Sequence, residues 1–276
     1  MNEVIGRVRR GLVVWGVILK FLSVFLLVSL SVQAWSRTIV VSDIDDTLKI
    51  SNVRSLVGKV QNAPRTDLVF AGMPEIFQAL HERGDVEFVY LSNAPTWLMT
   101  EAHQTFLREN AFPFGRTFLR PFGSGATTFK REVIDRLFAE EPSDTEWILI
   151  GDNGERDPLV FWDVQQAYPA RKVLAYVHAI YPDNVELQGY SFNLRPYGSS
   201  YDLAAEWVAA GILSPEQVEG VEAVVLRALF RALRDEPTSE HAFAPWTNCH
   251  PALSFEGRGF TREWVDLLSV GCALGR

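Results

Sequence analysis

Four short runs of apolar, β-favouring residues, Thr38 to Ser42, Val86 to Ser92, Trp147 to Gly151 and Val173 to His178, alternate with segments of helical periodicity. Each run is nearly continuous in apolar residues, as strands covered on both faces must be, so they read as parallel strands. The intervening segments predict helices over about Met73 to Arg83, Thr96 to Asn110, Phe129 to Ala139 and Pro158 to Ala167. Alternation of this kind predicts a doubly wound α/β parallel sheet. In such sheets ligands bind at the carboxyl ends of the strands. The first three runs end in Asp43, Ser92-Asn93 and Asp152, which would converge on one rim.

The first of these ends carries the densest chemistry. Val40-Val41-Ser42-Asp43-Ile44-Asp45-Asp46-Thr47 passes abruptly from apolar residues to three carboxylates and a threonine. Carboxylates where a buried strand surfaces are costly to desolvate, so such a cluster usually holds a metal, does chemistry, or both. If strand geometry persists that far, Asp43 and Asp45 project to one side, close enough to share a cation and a substrate. A strand ending in an ordinary polar turn also accounts for the octapeptide, because Asp and Thr are frequent in turns and helix caps.

The chain of 276 residues is long enough to bury a large core, and its 47% hydrophobic and 22% charged residues are those of an ordinary globular protein. Its N-terminus differs. Arg7, Arg9 and Arg10 precede an apolar stretch from Gly11 to about Leu30, followed by Val32-Gln33-Ala34. This order resembles a secretory signal peptide cleaved after Ala34. The stretch is long for that purpose and contains Lys20, so an uncleaved N-terminal anchor is the alternative. Both place the body of the chain outside the cytoplasm, periplasmic or secreted, if the helix enters Arg-side-in. Without residues 1–34 the chain has 22 basic and 33 acidic residues. That balance argues against nucleic acid as a partner and suits cation-assisted chemistry.

Cys249 and Cys272 are the chain's two cysteines. In an oxidising compartment they read as one disulfide closing a loop of about 24 residues; two free buried thiols are the alternative. Between Ile50 and Phe70 lies a stretch with little periodicity, read as a flap or small insert over the site. After about Tyr190 the pattern becomes mainly helical, which suggests residues 35–190 as the catalytic domain and 191–276 as a helical extension packed on it. Within the extension, Ser214-Pro215-Glu216-Gln217 predicts a capped helix running to about Arg234.

Asp43-Ile44-Asp45-Asp46-Thr47, Ser92 at a strand end, Lys130 opening a helix, and Gly151-Asp152-Asn153-Gly154-Glu155-Arg156-Asp157 form an ordered set. The set resembles the four motifs of the haloacid-dehalogenase superfamily of phosphohydrolases. With Tyr90-Leu91-Ser92-Asn93-Ala94-Pro95, Phe129-Lys130-Arg131, Gly72 ahead of a helix and Phe112-Pro113-Phe114-Gly115 after one, it is similar to the catalytic domain of the actin-patch-protein type of phosphatidate phosphatase. Asn93 departs from that pattern, which usually has a small residue there, and Asn153 stands where a serine is common.

The resemblance implies a Mg²⁺-dependent phosphomonoesterase with Asp43 as nucleophile and Asp45 as general acid and base. It implies metal binding by Asp43, the backbone carbonyl of Asp45, Asp152 and Asp157, phosphate contacts from Ser92, Asn93 and Lys130, and support from Asp46 and Thr47. Asp157, ahead of Pro158, could instead be only a helix N-cap, and Arg131 could replace Lys130. A lipid phosphate at a membrane surface is the implied substrate; a small soluble phosphoester and a non-catalytic envelope protein are the alternatives. His178 reads as a core or rim histidine, and His81, His103, His241 and His250 share no spacing.

Overall fold

The computed structural model describes residues 37–181, 194–234, 236, 238–247, 266, 269 and 270. The N-terminal stretch 1–34, Cys249, His250 and Cys272 lie outside the described residues. Among the described residues no helix is long and apolar enough to cross a membrane.

Six parallel strands form one sheet: β1 (Thr38–Asp43), β3 (Val86–Pro95), β4 (Gly115–Arg120), β5 (Glu146–Asp152), β6 (Lys172–His178) and β7 (Leu194–Tyr197). Their order across the sheet is β4-β3-β1-β5-β6-β7. The chain runs outward from β1 to β3 and β4, then returns to the other side of β1 for β5 and β6. The crevice at the carboxyl end of β1 is therefore a topological switch point.

Alternation along the central strands divides the core. Val40, Phe88, Tyr90, Ile148 and Ile150 pack on one face, with α2 (Met73–His81), α6 (Ser200–Ala209), α7 (Pro215–Leu233) and the Phe106–Leu107 part of α3 (Thr96–Glu109). Ile39, Val41, Val89, Leu91, Trp147 and Leu149 pack on the other, with α4 (Phe129–Glu140) and α5 (Asp157–Ala167). Asp43 continues the Ile39 and Val41 series, so its side chain belongs to the face whose helices begin at Phe129 and Asp157.

The four expected strands and the helices between them are present, and α7 carries the expected capping box of Ser214 and Gln217. Two strands of this sheet go beyond the sequence reading. β4 is an edge strand with Arg116, Thr117 and Arg120, only partly buried, so it lacks the apolar continuity of its neighbours. β7 is four residues long and includes Pro196. It extends the sheet past residue 190, where the pattern otherwise reads as mainly helical. Proline is tolerated there because an edge strand needs no ladder on its outer side.

The segment from Ile50 to Phe70 holds one short helix, α1 (Leu56–Asn62), followed by β2 (Val69–Phe70), which pairs with β8 (Glu240–His241). Ser55 starts α1 by accepting from the Gly58 amide at 3.0 Å. The helix seats on its neighbour through Gly58, where a Cβ would collide with Asn52. Fully buried Lys49 donates its Nζ to the Ala63 carbonyl at 2.8 Å and fastens the far end.

Candidate active site

Asp46, one residue past the acid pair, organises the turn and the flap. It sits at φ 60°, in the left-handed region. Its Oδ1 accepts from the amides of Ser51 at 2.8 Å and Asn52 at 2.7 Å, and its Oδ2 accepts from the Val53 amide at 2.7 Å and the Tyr181 hydroxyl at 2.6 Å. Burial pushes this carboxyl up to about 6 although all four donors favour its ionised form. His178 is buried beside it, stacked on Tyr197, and donates Nδ1–H to the Asp46 carbonyl at 3.0 Å. Burial pushes its imidazole down to about 4, so it is neutral. Asp46→Asn turns one acceptor oxygen into a donor facing the Val53 amide, so unfolding by denaturant should show a loss of about 1–3 kcal/mol. A change under about 0.5 kcal/mol, ordinary for a surface position, would contradict the cage.

Asp43 and Asp45 are held by different partners. β1 ends at Asp43, and the carboxylate is buried. Its Oδ1 accepts from Lys130 Nζ at 2.7 Å and its Oδ2 from the Thr47 hydroxyl at 3.0 Å. Lys130 also donates to Asp157 Oδ1 at 2.5 Å and lies 3.8 Å from Glu155. It is buried in the first turn of α4, whereas Arg131 pairs with Asp135 along the helix; Lys130 is thus the cation at the site. Asp157 opens α5 with its side chain on Lys130, not as an N-cap, since Arg156 occupies that position. Gly151 at the end of β5 permits this approach, because a Cβ there would overlap the Asp157 carboxylate.

Asp152 completes the group. Carboxylate oxygens of Asp43, Asp152 and Asp157 lie within 4.8 Å of one another, all buried. Burial pushes Asp43 and Asp152 well above the usual carboxylate range; Lys130 pulls both down, and the mutual repulsion of the carboxylates pushes the same way as burial. Burial alone would lower Lys130, but Asp157 and Asp43 outweigh it and keep the ammonium charged. Asp152 Oδ2 and Asp157 Oδ2 are buried with no hydrogen-bond partner among the described residues. Three hard oxygen donors close to one ammonium, two of them with orphaned atoms, fit a divalent cation.

Asp45 turns toward β3 and α3. Its Oδ1 accepts from the Ser51 hydroxyl at 2.6 Å and its Oδ2 from the Ser92 hydroxyl at 2.8 Å. His103 Nε2 lies 3.0 Å from Asp45 Oδ2 and 3.1 Å from Ser92 Oγ. Burial would raise the Asp45 carboxyl, yet His103, Ser51 and Lys49 together hold it well below the usual range. Ser92 does not cap α3, which starts after Pro95 without a side-chain cap. Asn93 donates to Glu155 Oε2 at 2.7 Å and so ties the end of β3 to the loop after β5. Of the residues singled out in the sequence, the structure thus gathers Asp43, Lys130, Asp152 and Asp157 in one cluster, and Asp45 and Ser92 in a second.

His103 is the site residue that spacing among histidines missed. Its signal lay on its own helix: Met99, His103, Phe106 and Leu107 are the buried stripe of α3, and a histidine on an apolar stripe directly after the second motif needs a buried partner.

A cavity of about 580 Å³ opens beside Asp45. Its wall is mostly apolar, with Val60, Ala63 and Pro64 on the α1 side and Leu98 and Met99 on the α3 side. Glu155 and Arg120 also reach it.

The family described as "Phosphatidate phosphatase APP1, catalytic domain" matches residues 38–179, just over half of the chain. The chain belongs to this family. The match begins at β1 and ends just past β6, so it takes in Asp43, Ser92, Lys130, Asp152 and Asp157. The phosphatidate phosphatase APP1 of Saccharomyces cerevisiae is 29% identical over 149 residues, which cover 50% of this chain and 25% of that protein. The matched part is thus about a quarter of the yeast protein's length. Among solved structures, a chain of the Pnkp1/Rnl/Hen1 complex is 18% identical over 54% of this chain and 49% of its own, with a TM-score of 0.38. The class C acid phosphatase from Bacillus anthracis is 16% identical with tungstate bound, over 62% of this chain and 71% of its own, with a TM-score of 0.35. Scores of that size establish no relationship of activity.

Proposed function

We propose that this chain is a Mg²⁺-dependent phosphomonoesterase acting through an aspartyl-phosphate on Asp43, with a lipid phosphate of the phosphatidate class as substrate. The observation that carries this reading is the juxtaposition at one strand end of two separately held groups. One is the Asp43, Asp152, Asp157 and Lys130 cluster; the other is the Asp45, Ser92 and His103 cluster beside a mostly apolar cavity.

Asp43, Asp152 and Asp157 would hold the cation, joined on the family pattern by the backbone carbonyl of Asp45. When bound it neutralises phosphate charge that would otherwise repel the attacking carboxylate. Lys130 supplies a second positive charge against the transferring group, in a buried position where such charge is most effective. An Asp43 carboxylate oxygen forms the new bond to phosphorus as the bond to the alkoxide breaks, and the alkoxide takes a proton from Asp45. Water then attacks the same phosphorus, gives its proton to Asp45, and frees Asp43 and inorganic phosphate.

The low resting pKa of Asp45 bears on the first step. In the free enzyme the group is ionised, held so by His103 and Ser51. To protonate the alkoxide Asp45 must therefore take up a proton in the substrate complex, where the negative charge of the phosphate acts to raise its pKa. The apolar cavity next to Asp45 is where the leaving group would lie, which favours a diacylglycerol-like alcohol over a sugar or nucleoside. A setting outside the cytoplasm is part of the proposal and rests on residues 1–34 alone.

The test is phosphate release from dispersed phosphatidate and from p-nitrophenyl phosphate, with Mg²⁺ or with EDTA. Turnover of both that stops in EDTA and returns with Mg²⁺ supports the reading. Turnover of p-nitrophenyl phosphate alone removes the lipid substrate, and undiminished turnover in EDTA removes the metal.

A further inference from the structure

The flap helix α1 is built inside out. Gly58 is its seated face, buried against Asn52. At 100° per residue, Leu56 and Val60 lie nearly opposite Gly58. Leu56 is 84% exposed, Val57 64% and Val60 76%. Across the cavity, at the start of α3, Trp97 is 71% exposed and Leu98 57%. A helix of a soluble domain normally turns its apolar stripe inward and its charges outward. Here two elements that wall the same cavity through Val60 and Leu98 also turn Leu56, Val57 and Trp97 outward.

The charge of the flap is also out of keeping with the chain. From Thr47 to Thr66 there are four basic residues and no acidic one, in a chain of net charge −8. Three of the four, Arg54, Lys59 and Arg65, are exposed; Arg54 also donates to the Asn153 and Gly154 carbonyls, Lys59 lies 4.0 Å from Glu155, and Arg65 pairs with Asp67. An exposed apolar face flanked by basic residues, with a tryptophan at its edge, is the pattern of a segment that lies in the headgroup region of an anionic bilayer.

We propose that Leu56, Val57, Val60, Trp97 and Leu98 form a rim that docks on an anionic lipid surface, so that a lipid phosphate passes from the bilayer into the cavity beside Asp45. The rim is continuous with that cavity, since Val60 and Leu98 belong to both. A lipid surface fits better than a protein partner because the same patch combines apolar area, basic charge and the entrance to an apolar cavity. The proposal rests on the lipid-phosphatase reading above and deepens it.

The test uses the full chain and the triple variant Leu56→Ser, Val57→Ser, Trp97→Ser. None of these three side chains lines the cavity, and all are exposed, so folding and turnover of p-nitrophenyl phosphate and of a short-chain, water-soluble phosphatidate should match wild type. Hydrolysis of phosphatidate in phosphatidylcholine–phosphatidylserine vesicles should fall about tenfold or more, given the apolar surface removed. Co-sedimentation with the same vesicles lacking phosphatidate reads docking without turnover, and the variant should be depleted from the pellet to a similar degree. Vesicle hydrolysis within about twofold of wild type, or equal co-sedimentation of the two proteins, overturns the proposal. So does a change from dimer to monomer that leaves the vesicle-to-soluble ratio unchanged, which would mean that the face pairs two copies. Failure of the lipid-phosphatase reading looks different: wild type would bind vesicles through the rim but hydrolyse neither phosphatidate.

Discussion

Asp43→Asn should abolish phosphate release, with turnover falling about 10⁴-fold or more on every phosphoester the wild type hydrolyses. The amide keeps the size of the side chain; its oxygen can still accept from Lys130, and its NH₂ can donate to the Thr47 hydroxyl, where the two carboxylate oxygens now accept from both. What it loses is the anionic oxygen that would attack phosphorus and one of three donors facing the cation. Folding should survive, because burial pushes Asp43 well above the usual carboxylate range and a neutral group relieves that penalty. The expected result is an inactive protein at least as resistant to denaturant as wild type in EDTA. Retained turnover would remove Asp43 as nucleophile, whatever the remaining residues do.

Lys130→Met should combine the loss of activity with a loss of stability. Lys130 is buried and is the ammonium between Asp43 at 2.7 Å and Asp157 at 2.5 Å. Removing one partner from a buried ionic cluster leaves uncompensated charge and typically costs about 3–5 kcal/mol. Methionine retains the packing of the stem, so the loss read from denaturant unfolding in EDTA reports the charge. Mg²⁺ should restore part of the stability, since it would offset the same carboxylates, but not the activity, because the charge beside the transferring phosphoryl group is gone. Stability within about 1 kcal/mol of wild type would mean that the carboxylates are protonated in the free enzyme and that Lys130 does not balance them.

The sheet was legible because β1, β3, β5 and β6 are covered on both faces and therefore nearly continuous in apolar residues. The edge strands were not, because β4 is only partly buried and carries Arg116 and Arg120, and β7 is four residues long with a proline at position 196. α1 escaped periodicity analysis for a related reason: its one buried residue is Gly58, so no apolar stripe faces inward to be found. At the site, Asp43 and Asp152 could be read from strand ends alone. Lys130 and Asp157 needed the family pattern, since a lysine and an aspartate at helix starts are ordinary surface residues until the chain brings them within 2.5 Å of each other. His103 needed the fold, because its partners Asp45 and Ser92 lie on the far side of a 58-residue separation and an 11-residue one. The third carboxylate of the opening cluster, Asp46, is a tether for the flap and takes no place beside Lys130.

The covalent step can be tested by trapping. Asp45→Asn cannot activate the second water, and p-nitrophenol needs no proton to leave, so this variant should accumulate the aspartyl-phosphate when given radiolabelled p-nitrophenyl phosphate and Mg²⁺. Acid quenching and peptide mapping should then find one hydroxylamine-labile phosphoryl group, on the peptide that holds Asp43. Continued phosphate release with no phosphoryl group on the protein, or attachment at any other residue, would contradict the account.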